Sequence, residues 1–183
     1  MNDDHLGGDR NDDSRPPVDE FCALIVARHH TYLHDMIPFI SARLDALVEH
    51  EPAAVALLAS TRTLFAELAR ELQGHLAKEE NVLFPALEAM AKAEREGGPR
   101  PALPFPTVLH PIRLMETEHA RIEAVMDHLR EVTAGFVATE GSSDGWRQCL
   151  SAFASLDEDL REHLRAENEV LFPRALELER RLP

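Results

Sequence analysis

The sequence has little cysteine, few aromatic residues and no long apolar run. Its 183 residues include two cysteines, which rules out a disulfide framework and a four-cysteine metal site. The longest apolar runs, such as residues 22–27, are far shorter than a membrane span. Aromatic residues make up 5%, whereas Leu, Ala and Glu are abundant, and this composition favours helices.

Positive charge is also scarce. The 19 Lys and Arg residues face 33 Asp and Glu residues, which gives a net charge of −14. Such a surface repels nucleic acid and anionic membranes, so we expect neither as a partner. Residues 1–17 are charged and contain Gly and Pro, unlike a secretory signal. We therefore predict a disordered tail over 1–17 and a cytoplasmic protein.

Three interruptions divide residues 18–183 into four helical segments. They fall near residues 50–52, at 96–111, which contains five prolines and two glycines, and at 139–145. Between them, apolar residues recur at spacings of three and four, which predicts helices over about 18–49, 53–92, 111–137 and 145–180. The expected fold is all-α, an up-and-down four-helix bundle. Pro38 is expected to kink its helix, and Pro85 and Pro173 to kink or end theirs.

An internal repeat relates the second and fourth helices. A His-x-x-x-Glu pair followed by Val-Leu-Phe-Pro occurs at His75 and Glu79, and again at His163 and Glu167. The i,i+4 spacing places each glutamate one helical turn from its histidine, on the same face. The row of core-facing residues on each helix, its seam, is predicted to continue to Val82 and Val170. The two halves of the chain therefore contain the same His-x-x-x-Glu motif on equivalent helices.

The preceding helix of each half contributes one more histidine to this pattern. His30 and His119 each interrupt an otherwise apolar seam, 45 and 44 residues before the histidine of the following helix. In each half, the length of helix from the first histidine to the connection nearly equals the length from the connection to the second histidine. All these side chains are therefore expected at about the same level along the bundle axis. The sequence thus predicts a single cross-section of the core that contains four imidazoles and two carboxylates: His30, His75, Glu79, His119, His163 and Glu167.

Two buried carboxylates require compensating positive charge. Six nitrogen and oxygen ligands exceed what a tetrahedral zinc site uses, and the absence of thiolates disfavours an iron–sulfur cluster. The set suits two transition metals, each with two imidazoles, bridged by both glutamates. Two non-haem irons are the expected cofactors, with positions open for an oxo or hydroxo bridge and a small exogenous molecule; manganese and zinc are alternatives.

Other histidines are expected to lie outside this cluster. His128 falls off the seam of its helix, and His110 lies in the proline-rich connection. Along the helix, the residues at helical spacing from His29 become polar sooner than those at the same spacing from His30. His34, one turn beyond His30, is interpreted as either an outer partner of the cluster or a solvated side chain.

Three stretches carry a resemblance to a known family: His75-x-x-x-Glu-Glu-Asn-Val-Leu-Phe-Pro, Pro111-Ile-Arg-Leu-Met-Glu-x-Glu-His119, and His163-x-x-x-Glu-Asn-x-Val-Leu-Phe-Pro. Over about 20–180 the chain resembles the hemerythrin-like (HHE cation-binding) family. More narrowly, it resembles the di-iron domain of the RIC (repair of iron centres) proteins. The resemblance implies two non-haem irons held by the six residues named above, with the two glutamates as bridges.

The resemblance also implies a function in recovering iron–sulfur proteins after nitrosative or oxidative stress, and in handling nitric oxide. The implied partners are a small diatomic ligand (dioxygen or nitric oxide) or peroxide, together with damaged iron–sulfur proteins. A dioxygen-binding carrier or sensor is one alternative. A structural bundle whose polar seam is satisfied by hydrogen bonds is another. Whether the protein is an enzyme stays open at this point.

Overall fold

The structure, a computed structural model, describes residues 15–51 and 55–183. Four long helices follow one another in these ranges, which contain no strand, and the all-α four-helix bundle is confirmed. Most of the tail predicted over 1–17 lies outside the described residues, and the first helix begins at Val18. No helix in the described part combines the length and apolar character needed to cross a membrane.

Three of the four helices contain a short π-helical segment between two α-helical segments. Helix α1 consists of Val18–Ile25, the π segment Val26–His30 and Thr31–His50. Helix α2 consists of Val55–Lys78, the π segment Glu79–Leu83 and Phe84–Glu96. Helix α3, Leu109–Val132, is α-helical throughout. Helix α4 consists of Asp144–Ala166, the π segment Glu167–Leu171 and Phe172–Arg181.

The apolar interior is divided into two parts along the bundle. The upper core, next to the α1–α2 connection, includes Leu44, Leu72, Leu129 and Leu156. The lower core at the other end includes 22 and 25 from α1, 83, 84 and 87 from α2, 112 and 115 from α3, and 171, 172 and 175 from α4. On every helix the predicted polar residues lie at the junction between these two cores. A polar layer thus crosses the bundle with apolar side chains above and below it.

The π segments change which residues face the core. The sequence pattern placed Val82 and Val170 on the seam, and this was wrong. Val82 is 41% exposed and Val170 is half-buried, while the neighbouring Leu83 and Leu171 are buried. The wide π turn, in which the N–H of Phe84 bonds to the carbonyl of Glu79, brings the residue four positions after the glutamate inward.

The three internal prolines do not end their helices. Pro38 lies within Thr31–His50. Pro85 and Pro173 each stand in the first turn of the α-helical segment that follows a π segment. A proline is tolerated at that position because its missing N–H and fixed φ suit the start of a helix.

Helix α3 is shorter than the pattern predicted. It was expected to reach residue 137 but ends at Val132, where the Thr133 hydroxyl donates to the Leu129 carbonyl at 2.7 Å. Ala134, Gly135 and Phe136 then take left-handed conformations, with φ of 53°, 74° and 63°. Phe136 packs against the upper core after this turn. This tertiary contact, and not the apolar periodicity, therefore determines where α3 ends.

Alanine substitutions at two glycines of α2 are predicted to have opposite effects on the stability of the protein. Gly97→Ala should destabilise the protein by about 1 kcal/mol, because Gly97 ends α2 with a left-handed φ of +61° that alanine adopts at a cost. Gly74→Ala should stabilise it by about 0.5–1 kcal/mol, because Gly74 lies within the helix and nothing would contact the added methyl group. Urea-unfolding midpoints measure both. Equal effects of the two changes would contradict the assigned end of α2.

Candidate metal centre

The polar layer consists of six side chains contributed by all four helices. None is more than 1% exposed. Helix α1 provides one histidine, α2 and α4 each provide a histidine and a glutamate, and α3 provides one histidine: His30, His75, Glu79, His163, Glu167 and His119 respectively. The structure therefore brings together all six candidate residues of the sequence analysis.

One group of donor atoms joins α1 and α4 to both glutamates. One atom each of His30, His163, Glu79 and Glu167 lies within 4.8 Å of the others. His30 Nε2 is 3.4 Å from Glu79 Oε2, and His163 Nε2 is 2.9 Å from Glu167 Oε1. The two histidines belong to different halves of the repeat, so this group forms only when the halves pack together.

A second group joins α2 and α3 to the same two glutamates. One atom each of His75, His119, Glu79 and Glu167 again lies within 4.8 Å of the others. His75 Nε2 is 3.4 Å from Glu79 Oε2, and His119 Nε2 is 3.1 Å from Glu167 Oε2. Because both glutamates belong to both groups, each carboxylate lies where it could bridge two cations.

Hydrogen bonds at the outer ring nitrogens orient three of the histidines. His30 Nδ1 is 2.9 Å from Glu80 Oε1, and His119 Nδ1 is 2.9 Å from Asn168 Oδ1. His75 Nδ1 is 3.3 Å from Glu118 Oε2. Carboxylate and amide oxygens accept, so each Nδ1 carries the hydrogen and each Nε2 turns a lone pair toward the centre of the layer.

The inner atoms of the layer are short of hydrogen-bond partners. His30 Nε2, both carboxylate oxygens of Glu79 and Glu167 Oε2 are buried without one. The Nε2 atoms of His75 and His119 lie only 3.2 Å apart, although the outer hydrogen bonds leave lone pairs on both. Buried lone pairs that face one another without a donor are costly, and a cation between them removes that cost. The residues present therefore fit a di-iron site of mixed imidazole and carboxylate donors.

Burial shifts the ionisation of the layer. It lowers the pKa of His30 and of His75 to about 4, which favours the neutral imidazoles that metals bind. Burial and the adjacent Glu167 carboxylate hold the pKa of Glu79 well above its ordinary value. Burial raises the pKa of Glu167 too, but interaction with the adjacent imidazoles of His163 and His119 outweighs this effect and holds that pKa well below its ordinary value. Without a cation, the layer accommodates one carboxylate charge more readily than two.

Sequence reasoning missed the outer partners of the histidines. Glu80 and Asn168 each follow the glutamate of a His-x-x-x-Glu pair, and Glu118 directly precedes His119. Alignment of the two halves would have suggested the first two, because they occupy equivalent positions. The repeat equivalent of Glu118 is His29, and its side chain also reaches the other half of the bundle.

His29 is buried without joining either group of donors. Its ring stacks on that of His163, with centroids 5.2 Å apart and planes 5° from parallel. Its Nδ1 lies 2.9 Å from Asp159 Oδ1. His163 Nδ1 itself has no hydrogen-bond partner, so stacking replaces the outer hydrogen bond seen at the other three histidines.

The other histidines within the described ranges lie away from the layer, as expected for His110 and His128. His110 and His128 are exposed, and His50 donates from Nδ1 to the Ala46 carbonyl at 2.7 Å. His34, whose place the sequence left open, is more than half exposed and lies 3.4 Å from Glu80.

Both cysteines are buried and free. Cys149 lies in the upper core, where burial raises its pKa to about 12. Cys22 lies in the lower core, and burial and nearby carboxylates raise its pKa further. Both thiols are therefore held protonated, as apolar core residues.

Comparison with known proteins relates the chain to a cation-binding domain. The family model described as the hemerythrin HHE cation binding domain matches residues 24–102 and 110–182. The first range contains His30, His75 and Glu79, and the second contains the other three members of the layer. The two matched ranges thus coincide with the two halves of the internal repeat.

Curated relatives match most of this chain. The iron-sulfur cluster repair protein YtfE of Edwardsiella ictaluri (strain 93-146) is 31% identical over 160 residues, which cover 87% of this chain and 66% of that protein. Proteins of the same name from Yersinia pestis (strain Pestoides F) and Yersinia pseudotuberculosis serotype O:3 (strain YPIII) are 26% identical over 163 residues, with the same coverage. The chain spans 66% of the length of these relatives.

The unpartnered carboxylate of Glu79 makes a prediction for the metal-free protein. Glu79→Leu should stabilise it by about 1–4 kcal/mol, because an apolar side chain replaces a buried acid. The pKa of Glu79 is raised on folding. The free energy of unfolding of the wild type is therefore highest with respect to this group below its ordinary pKa of 4.5, and it falls as the pH rises above that value. The advantage of leucine should therefore grow over the range above pH 4.5 as the pH rises. Thermal melts across this range measure it.

Glu79→Leu should have the opposite effect once iron is bound. Metal that binds the folded state adds to its stability, and the variant loses the carboxylate that belongs to both donor groups. Melts with ferrous iron under anaerobic conditions should then show the variant melting below wild type. The same shift with and without iron would contradict a shared carboxylate.

Proposed function

The chain belongs to the hemerythrin HHE cation binding family, and we propose that it is a non-haem di-iron protein that acts in iron–sulfur cluster repair under nitrosative or oxidative stress. The observation that carries the proposal is the pair of four-residue donor groups that share both glutamates. A shared pair of carboxylates between two pairs of imidazoles is suited to two neighbouring cations.

The ligand assignment is part of this proposal. His30 and His163 would hold one iron, His75 and His119 would hold the other, and Glu79 and Glu167, which belong to both donor groups, would serve both. When bound, the two irons supply a redox-active pair with positions left for a small ligand such as nitric oxide, dioxygen or peroxide. Support comes from the inward lone pairs and from the carboxylate oxygens that have no hydrogen-bond donor.

The surrounding residues bind and orient this centre. Glu80, Glu118 and Asn168 hold the Nδ1 hydrogens of three histidines and so keep each Nε2 available to metal. The upper and lower cores cover the layer on both sides and keep bulk water out. A small diatomic molecule or peroxide fits such a closed site better than a large organic substrate.

The repair activity is proposed from the relatives' names and from the chemistry of the site. Three relatives from two genera are named iron-sulfur cluster repair proteins, so damaged iron–sulfur proteins are the proposed partners. A cytoplasmic location belongs to the same proposal, and the two free thiols are compatible with a reducing compartment.

The ligand assignment predicts which histidines control metal content. His75→Ala and His163→Ala should each lower the iron content from two per chain to one or fewer, while helicity is largely kept because both apolar cores remain. His110→Ala and His128→Ala are matched controls and should keep full iron content, because both side chains are exposed. Metal analysis and far-UV circular dichroism measure these outcomes. Full occupancy in His75→Ala would refute the assignment.

The repair activity has its own test. Ferrous protein is added anaerobically to a [4Fe–4S] enzyme inactivated by nitric oxide, and the recovery of that enzyme's activity is followed. We expect recovery with wild type and much less with His75→Ala at the same total iron. A stable, reversible dioxygen adduct without any recovery would favour oxygen carriage instead.

A further inference from the structure

A chain of metal-binding groups connects His30 to solvent. Its outer nitrogen, Nδ1, lies 2.9 Å from Glu80 Oε1, and the same oxygen lies 3.4 Å from His34 Nε2. The exposed fraction of the side chains rises from 0% at His30 to 33% at Glu80 and 56% at His34. An imidazole, a carboxylate and a second imidazole thus follow one another from the polar layer to the surface.

The outward contacts of His75 and His119 suit a cation less well. Behind His75, Glu118 is paired with Lys78, whose Nζ lies 2.5 Å from its carboxylate and repels another cation. Behind His119 stands Asn168, a neutral amide. The outer contact of His75 is thus a carboxylate already paired with a lysine, and that of His119 carries no charge.

The outward contact of His163 is different again. The ring of His29 stacks on that of His163, and His29 in turn contacts Asp159. The side chains of His29 and Asp159 are 6% and 17% exposed. These groups stay within the bundle. Of the four histidines, His30 is therefore the one whose outer contacts combine negative charge, imidazole nitrogen and access to solvent.

The repeat shows that this feature is specific to one half of the chain. The residue equivalent to Glu80 is Asn168, and the residue equivalent to His34 is Glu123. Carboxylate followed by imidazole in the first half is thus replaced by an amide and an exposed carboxylate in the second. The inner ligands are duplicated, whereas the outer groups are not.

A divalent cation crosses a protein shell at low cost only where nitrogen and oxygen ligands replace its water. His34 also lines an open groove of about 630 Å³ between α1 and α2, which leaves it accessible to a molecule that delivers or accepts iron. Resting on the di-iron centre proposed above, we propose that Glu80 and His34 form a transfer site through which ferrous iron reaches and leaves the position of His30 and His163.

The transfer is an exchange of ligands without a redox step. A ferrous ion, free or in a small chelate, binds His34 and Glu80 and then passes to the inner nitrogen of His30, while the Nδ1 hydrogen stays in place. The His30 and His163 position is accordingly the one that exchanges first.

Iron exchange kinetics test the transfer site in the full chain. Uptake of ferrous ion by the apo protein and release to excess ferrous chelator are followed anaerobically, and we expect two phases in wild type. Glu80→Gln keeps an oxygen acceptor for His30 Nδ1, as Asn168 does for His119, but removes the charge. His34→Ala removes the exposed imidazole. Both should slow the faster phase by about tenfold, and His34→Ala should still bind two irons at equilibrium.

The control is Glu123→Ala, at the repeat position equivalent to His34, and its exchange rates should match those of wild type. Wild-type rates in both Glu80→Gln and His34→Ala would overturn the transfer site. Reduced occupancy in Glu80→Gln, with unchanged rates in His34→Ala, would also overturn it and leave Glu80 as a positioning residue. Failure of wild type to bind two irons would instead refute the di-iron proposal itself.

Discussion

The structure depends on one electrostatic constraint, the burial of two facing carboxylates in the middle of an apolar bundle. Glu79 and Glu167 are fully buried, and much of their oxygen surface lacks hydrogen-bond donors. In a protein interior this arrangement is costly unless positive charge lies between the carboxylates. The imidazoles around them cannot supply that charge easily, because burial lowers the pKa of His30 and His75. Two cations in the layer satisfy the constraint.

The division of the interior into two cores follows from the same layer. Apolar side chains above and below exclude water, which strengthens every interaction within the layer. The outer hydrogen bonds then decide how the layer is used. Carboxylate and amide oxygens fix three rings with their lone pairs inward, and this orientation leaves the inner nitrogens of the buried histidines available to a cation.

The π segments place side chains of the polar layer within otherwise regular helices. His30 is the last residue of one, and Glu79 and Glu167 are the first residues of the other two. In α1 the wider turn lets two consecutive histidines, His29 and His30, both be buried. Such turns occur often at functional sites, because they re-aim side chains without breaking the helix.

The sequence by itself determined the four helices, the repeat and the six members of the polar layer. These features rest on local spacing, since the i,i+4 relation and the apolar seam decide which face of a helix a side chain occupies. For the same reason the end of α3 was predicted too late, because the burial of Phe136 is a tertiary contact that periodicity does not contain. The positions of Val82 and Val170 were missed because the pattern assumed a regular α-helix.

Only the tertiary structure decided how the six residues are grouped. The pairs His30 with His163 and His75 with His119 each draw on both halves of the repeat, and no spacing along the chain specifies that. The partners Glu80, Glu118 and Asn168 were missed for a related reason. They stand on the flanks of their helices, where a charged or amide side chain ordinarily faces water. A flank becomes part of a site only when the neighbouring helix brings a histidine against it, and packing between helices sets that approach.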